Sequence, residues 1–286
     1  MKYLYLKLGN GNCQVDYWFN QAEDRKKRKV ENVFNRPAVV IFFGKITSER
    51  CRDLMKLSEK EYKRVKPSSS EDIPKWTTFR DQIKPFFKAE ESDKKGVIDH
   101  RFVTIKNGLV YICEPDSEVA DMPTTKYHEY DRYLLTLKIK EKTEDVHIPK
   151  VMFVKNVKSC KEVPDVLATL SCNNYLNRGT CREINPKKNW GAIQAIKCCL
   201  GEPLEKPKSE EQHLSLLGWH QLETLVFLIL KNGGVHPSAW RGGTLPQIDI
   251  VARNYNTDRA VIIGTTEKAV FEPMEKRTFQ INWRMV

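Results

Sequence analysis

The stretches Leu222-Glu-Thr-Leu-Val226 and Gln247-Ile-Asp-Ile-Val-Ala252 decide the predicted fold of the last quarter of this 286-residue chain. The first lies in a run whose apolar residues recur at helical spacing, so it predicts a helix. The second alternates in polarity directly after a proline, which predicts a strand that carries Asp249. The loop Arg241-Gly-Gly-Thr244 precedes this strand, and the β-rich run 260–263 follows it. A helix, a loop and two strands in this order predict an α/β unit.

Both stretches place a carboxylate among apolar residues, at Glu223 and at Asp249. A buried carboxylate is costly unless it is paired or binds a metal ion, so the two residues together indicate a shared site. The alternative for Glu223 is a position on the exposed face of its helix. The alternative for Asp249 is a turn or cap residue.

The two stretches resemble the restriction endonuclease-like, or PD-(D/E)xK, nucleases, and within them the Mrr-like branch. In that family a helix of the form F-E-x-L-V precedes a G-G-x-D-I-I-A strand, and here Gln247 stands in place of a glycine. The resemblance covers roughly the last 75 residues and implies an α/β fold with a mixed central sheet. It also implies that Asp249 is the central metal-binding carboxylate and that Glu223 is an auxiliary acid. The implied cofactor is Mg²⁺, which serves phosphodiester hydrolysis in such sites.

The third motif of the family, Q/E-x-K on the next strand, is altered in this chain. Direct continuation of the run 260–263 puts Gly264 at the acid position and Thr266 at the lysine position. A shift by two residues supplies Lys268 but leaves Glu267 on the opposite strand face, unless a β-bulge reverses the facing. The candidate catalytic residues are therefore Glu223, Asp249, Glu267 and Lys268, and both a rearranged active site and an extinct one fit the sequence.

The net charge of +11 is distributed unevenly along the chain. Residues 201–286 contain 10 basic and 10 acidic side chains, so the whole excess of the chain's 48 basic over 37 acidic side chains lies in the first 200 residues. Basic patches beside aromatic residues are typical of nucleic-acid binding, and the alternative for each run is a solvated surface. Trp18 and Phe19 lie near the basic run 25–29, and Trp190 follows Lys187 and Lys188. The candidate binding residues are Arg25, Lys26, Lys27, Arg28, Lys29, Arg178, Arg182, Lys187, Lys188 and Arg241.

The first 150 residues predict strands with one helical insertion. Strands are expected at 37–43, 102–105, 109–113, 133–139 and 151–154, and a helix at 48–65. The Asn107-Gly108 pair between two of these strands predicts a hairpin. The first 150 residues contain no glycine-rich phosphate loop and no nucleophile elbow. We interpret them as a recognition module.

These patterns predict an α+β protein with three parts. A β-rich recognition domain is expected at 1–158, a helical connector at 159–204 and a restriction endonuclease-like α/β domain with a mixed sheet at 212–286. The segment 201–211, with two prolines and many charges, predicts the linker before the last domain.

The cysteine and histidine spacings do not predict a structural zinc site, because the eight cysteines contain no C-x2-C or C-x4-C pair. The cysteines are expected to be mostly buried thiols. No run approaches the roughly 18 apolar residues of a membrane span, and the first residues read as a strand rather than a signal peptide. We therefore expect a cytoplasmic protein without a membrane partner.

The sequence predicts a DNA-directed nucleic-acid-binding protein with a Mg²⁺-dependent endonuclease domain. One alternative is a catalytically inactive nuclease-like domain that serves DNA binding or assembly in a larger complex. Another is an RNA-binding protein with an unrelated α/β domain. A homodimer is compatible with each of these.

Overall fold

The computed structural model of the chain has mixed α and β structure, as the sequence predicts. It describes residues 1–8, 12–23, 29–30, 32–67, 73–94, 99–106, 109–136, 148–160, 167, 181–217, 219–232, 235–240, 250–254, 259–263 and 279–280. The helices in these residues are α1 (Val15–Trp18), α2 (Ser48–Met55), α3 (Glu59–Tyr62), α4 (Trp76–Thr78), α5 (Lys84–Lys94), α6 (Thr124–Thr136), α7 (Trp190–Leu200), α8 (Glu210–Leu214) and α9 (Trp219–Asn232), with a π-helical turn, Phe79–Ile83, between α4 and α5.

The strands in the same residues form two sheets and one isolated hairpin. They are β1 (Lys2–Leu6), β2 (Ala22–Glu23), β3 (Lys29–Val30), β4 (Ala38–Phe42), β5 (His100–Lys106), β6 (Leu109–Pro115), β7 (Ala120–Asp121), β8 (Pro149–Cys160), β9 (Cys181–Glu183), β10 (Val235–Trp240), β11 (Ile250–Asn254), β12 (Arg259–Ile263) and β13 (Phe279–Gln280).

The chain divides into two compact units. The first contains residues 1–163, 170–185 and 196–203, and the second contains 164–169, 186–195 and 204–286. Within the predicted connector, 159–204, the described residues include the strand β9 as well as the helix α7. In the part of the chain that the structure describes, no helix combines the length and the hydrophobicity needed to cross a bilayer.

The first unit is built on a mixed sheet with the strand order β4-β8-β6-β5-β1-β9, and β7 also pairs with β8. The long strand β8 pairs with β4 along its first half and with β6 along its second half, so the sheet curls. Strands β1 and β5 run parallel, whereas β5 and β6 form the predicted hairpin around Asn107-Gly108.

The core of the first unit is formed by side chains of this sheet and of the helices packed on it. Successive residues of a strand point to opposite faces, so Leu4 and Leu6 of β1 share a face. Both side chains are fully buried and belong to the same core cluster as Phe102 of β5. Phe86 and Phe87 of α5 complete this cluster from the helical side. Burial of each such side chain contributes roughly 1.5–3 kcal/mol.

The predicted helix at 48–65 is two helices, α2 and α3. The second begins at a capping box, in which Ser58 accepts from the Glu61 backbone N–H while the Glu61 side chain accepts from the Ser58 N–H. Such a box satisfies backbone donors that the start of a helix leaves unpaired, so it favours a new helix over continuation of the first. The apolar spacing alone did not reveal this interruption.

The predicted strand at 133–139 is wrong for its described residues, because α6 extends to Thr136. Tyr130 and Leu134, one helical turn apart, are both buried in the core cluster. The Tyr130 ring stacks on Tyr17 with the ring centroids 5.8 Å apart, and the Tyr133 ring lies 4.1 Å from the same tyrosine. This packing on one helix face outweighs the strand-like alternation of the sequence.

A buried ion pair connects α2, α5 and the segment before β7. Arg52 donates from Nε and Nη2 to the two carboxylate oxygens of Glu90, each at 2.9 Å. The same carboxylate accepts from the backbone N–H of Val119 at 2.8 Å, and Arg52 donates to the Val119 carbonyl at 2.6 Å. The Glu90 side chain is 6% exposed, whereas that of Glu118, 3.7 Å from the same guanidinium, is 60% exposed.

The second unit contains α8, α9 and a sheet with the order β10-β11-β12-β13. Strands β10, β11 and β12 are antiparallel neighbours, and β13 runs parallel to β12, so this sheet is mixed. The helix predicted around 222–226 is α9, and Ser209 caps the shorter helix α8 by accepting from the Gln212 N–H.

Gly191 allows close packing at the start of α7 in the second unit. A Cβ atom at this position would lie 1.7 Å from the Ser215 carbonyl oxygen, and the Gly191 N–H donates to Ser215 Oγ at 3.1 Å. We expect Gly191→Ala to force backbone displacement and to lower the free energy of unfolding by about 1–3 kcal/mol, measured by urea denaturation. Gly201→Ala is the comparison variant, because it changes backbone conformation without a steric clash.

Gly201 has open space around its Cβ position but a φ of +71°. Alanine there should cost about 1–2 kcal/mol from backbone conformation alone. A Gly191→Ala variant with wild-type stability would show that the close approach to Ser215 is not a constraint.

Candidate functional site

The helix and the strand that carry the two candidate metal ligands are present in the second unit. Glu223 lies in the middle of α9, and Asp249 directly precedes β11 in the sequence. Asp249, Glu267 and Lys268 lie outside the described residues, so the predicted catalytic set stays a prediction. Gly264 and Thr266 lie outside them as well.

The two carboxylates suit the cofactor that the resemblance implies, because Mg²⁺ prefers hard oxygen donors. The helix with Glu223 is followed by the antiparallel strands β10, β11 and β12. Among the described residues, no group of three or more histidine, cysteine or acidic side chains could hold a metal ion. Of the two predicted magnesium ligands, Asp249 lies outside these residues.

The basic run at 25–29 overlaps the second strand of the small hairpin at Lys29 only. Its last residue, Lys29, lies in β3 opposite Glu23, and Arg25, Lys26, Lys27 and Arg28 lie outside the described residues. Two buried asparagines hold the base of this hairpin. The Asn32 N–H donates to Asn20 Oδ1 at 2.9 Å, and Asn32 Nδ2 donates to the Trp18 carbonyl at 2.9 Å.

The aromatic residues beside the basic runs do not have the role that the sequence suggested. Trp18 and Phe19 are 0% and 3% exposed, and Trp190 is 8% exposed. Trp18 and Phe19 belong to the core cluster of the first unit. None of the three rings can stack on a nucleic-acid base without leaving its buried position, so this part of the prediction is wrong.

The other predicted binding residues are spread over different parts of the chain. Arg182 lies in β9, 3.9 Å from the Asp81 carboxylate, and its side chain is 25% exposed. Lys187 and Lys188 lie in an exposed turn after β9. Arg178 and Arg241 lie outside the described residues.

The first unit contains a cluster of charged and aromatic side chains that the sequence analysis missed. The Arg36 guanidinium carbon lies 4.1 Å from the Phe153 ring centroid, and Arg36 Nη2 donates to Asp116 Oδ2 at 2.7 Å. Lys155 Nζ lies 3.1 Å from the other oxygen of that carboxylate. These residues come from sequence positions up to about 120 residues apart, so no local pattern could have indicated the cluster.

The described cysteines provide no activated thiolate in the core of the first unit. Burial raises the pKa of the Cys51 thiol to about 12, and burial also raises the pKa of Cys113 and of Cys181. A thiol with a raised pKa stays neutral near pH 7 and is a poor nucleophile. These three cysteines are buried as expected, whereas Cys198 is exposed.

Comparison of the chain with models of known families, with curated proteins and with solved structures finds no match.

Proposed function

We propose that the chain binds DNA and cleaves it with a Mg²⁺-dependent endonuclease domain within residues 212–286. The observation that carries this proposal is the order of elements in the second unit. Helix α9 is followed by three antiparallel strands and by a further strand parallel to β12. This order agrees with the mixed sheet that a restriction endonuclease-like domain requires, and it puts Glu223 in the helix and Asp249 next to β11.

The binding part of this proposal rests on charge. The excess of basic side chains lies in the first 200 residues, whereas the remainder has equal numbers of both signs. Lys187 and Lys188 are exposed there, and the run 25–29 ends at Lys29 in the anchored hairpin. Cationic side chains that neutralise phosphates release counterions from DNA, which supplies most of the affinity in non-specific binding.

The catalytic part rests on the carboxylates. Glu223 and Asp249 would hold Mg²⁺, which when bound polarises the phosphoryl group and activates a water molecule. Lys268 would supply positive charge near the phosphate, as preorganised cations do in such sites. The altered third motif favours one alternative, in which the domain has lost catalysis and serves DNA binding or assembly.

The test is incubation of the intact chain with plasmid, linear duplex and single-stranded DNA, with and without Mg²⁺ or Mn²⁺. Metal-dependent cleavage of any substrate supports the endonuclease proposal. Binding to DNA without cleavage in either metal supports the inactive alternative. Binding to RNA that is much tighter than binding to any DNA contradicts the choice of DNA.

The basic hairpin gives a quantitative test of the binding surface. We expect Lys26→Gln with Lys27→Gln to weaken DNA binding and to reduce the slope of log affinity against log salt by about two units, because two phosphate contacts are lost. The matched control is Lys206→Gln with Lys208→Gln, two exposed lysines outside the charge excess. Equal losses in both double variants, measured by fluorescence anisotropy, would contradict a specific role of the hairpin.

A further inference from the structure

Arg36 forms a rigid stacked arrangement at the surface of the first unit. Its guanidinium carbon lies 4.1 Å from the Phe153 ring centroid, which is the distance of a close cation–π contact. The Phe153 ring is in turn held edge-to-face by Phe34, with the ring centroids 5.4 Å apart. Both rings pack against the core cluster, so the support under the guanidinium is fixed.

A carboxylate fixes the rotation of the guanidinium about its own axis. Arg36 Nη2 donates to Asp116 Oδ2 at 2.7 Å. The backbone N–H of Asp116 donates to the Phe153 carbonyl at 2.9 Å, so the two groups that hold the guanidinium are bonded to each other. The plane of Arg36 is therefore set by two linked contacts.

The backbone at Arg36 is held as firmly as its side chain. The Arg36 carbonyl accepts from Asn32 Nδ2 at 2.8 Å, and Asn32 is only 1% exposed. The carbonyl of the next residue, Pro37, accepts from the Val154 N–H at 3.1 Å. Little conformational entropy remains for a ligand to remove at this position, and such preorganisation favours binding.

The stacked arginine also faces solvent and carries an excess of positive charge. Its side chain is 45% exposed although one side contacts the Phe153 ring. Lys155 lies 3.1 Å from the same Asp116 carboxylate and is 38% exposed. Two cations share one anion, so the cluster has a net charge of +1 and complements a phosphate.

We propose that the exposed face of the Arg36 guanidinium stacks on an unpaired nucleobase, while Lys155 contacts the phosphate beside that base. Guanidinium planes stack on bases that have left the base stack. A base inside a continuous duplex has both faces covered, so the ligand class is DNA with an accessible unpaired base. This inference rests on the proposed DNA binding and names the substrate feature that the first unit recognises.

The experiment measures binding of the full chain to labelled DNA by fluorescence anisotropy in the absence of divalent metal. One pair of probes is a duplex with a single extrahelical base and the same duplex with an abasic unit at that position. The second pair is a single strand with bases and a single strand of abasic units. A fully paired duplex serves as the reference for backbone binding. Tighter binding to the base-bearing member of the first pair would identify an extrahelical base as the ligand. Tighter binding to the base-bearing member of the second pair would identify a single strand as the ligand.

We expect the wild-type chain to bind the base-bearing member of at least one pair about tenfold more tightly, as stacking of one base predicts. Arg36→Lys keeps the charge but removes the planar group, so this ratio should fall to near one while binding to the paired duplex is unchanged. Lys155→Gln should weaken all probes similarly and leave the ratio intact. Arg64→Lys, at an exposed arginine after α3, should change nothing.

Two results would overturn the inference with different consequences. If the wild-type chain binds the paired duplex but discriminates in neither pair, or if Arg36→Lys retains the discrimination, base stacking on Arg36 is wrong and DNA binding stands. If the wild-type chain binds none of the probes, the proposed DNA binding fails and the inference fails with it. Near-UV circular dichroism of each variant verifies that the first unit keeps its tertiary packing.

Discussion

Asp249→Asn is expected to lower Mg²⁺-dependent DNA cleavage by orders of magnitude while DNA affinity stays close to that of the wild type. The substitution nearly preserves the size of the side chain but removes the negative charge that would hold the cation. Binding should persist because the excess positive charge lies in the first 200 residues. The measurement is single-turnover cleavage of a linear duplex at saturating protein, with affinity measured separately in the absence of metal.

Asp258→Asn provides the matched control for this prediction. Asp258 directly precedes β12, as Asp249 directly precedes β11, so both substitutions change one aspartate beside a strand of the same sheet. Cleavage should be retained in this variant. If Asp249→Asn cleaves as fast as the wild type, the activity belongs to a contaminating nuclease or to another site. If the wild type does not cleave in Mg²⁺ or Mn²⁺, the inactive alternative is correct.

Glu90→Ala is expected to lower the stability of the first unit, because Glu90 is the buried partner of Arg52. The substitution leaves the Val119 N–H without its acceptor and the Arg52 guanidinium without its two main bonds. Breaking a buried pair from one side costs about 3–5 kcal/mol. Because the Arg52 side chain is 33% exposed and water can solvate it, we expect about 2–3 kcal/mol here.

Glu118→Ala tests whether charge or burial is responsible for this loss. Glu118 lies 3.7 Å from the same guanidinium, but its side chain is 60% exposed. Exposed ion pairs contribute at most about 1 kcal/mol, so the urea midpoint should change little. Similar losses in both variants would show that negative charge next to Arg52, exposed or buried, decides the stability. The buried hydrogen bonds of Glu90 would then be unimportant.

The strands of the first unit were the easiest part of the fold to predict from sequence. Asn107-Gly108 between two β-rich runs predicts the hairpin of β5 and β6, because both residues tolerate the backbone angles of a tight turn. The strand predicted near Tyr133 is wrong, because the packing of Tyr130 and Leu134 in the core stabilises a helix. The order of strands in the sheet could not be predicted, since β1 pairs with segments far along the chain.

The candidate site was predicted less completely, for a physical reason. Glu223 and Asp249 could be proposed because each lies within a local pattern of a few residues. The Arg36 cluster joins residues from β8 and from the segments before β4 and after β6, so it exists only once the sheet has formed. The burial of Trp18 likewise depends on packing against Tyr130, with the ring centroids 4.9 Å apart. A sequence pattern shows that an aromatic residue is close to a basic run along the chain. It does not show whether the ring points into the core or into solvent.

The position of β1 between β5 and the edge strand β9 has a consequence for folding. This strand pairs with β5, about 100 residues further along the chain, and with β9, about 180 residues further along. Contacts between such distant segments form slowly, because a long stretch of chain must be closed before they are gained. During synthesis β1 therefore emerges long before either partner. Until β9 arrives, an apolar strand edge stays open to wrong pairing.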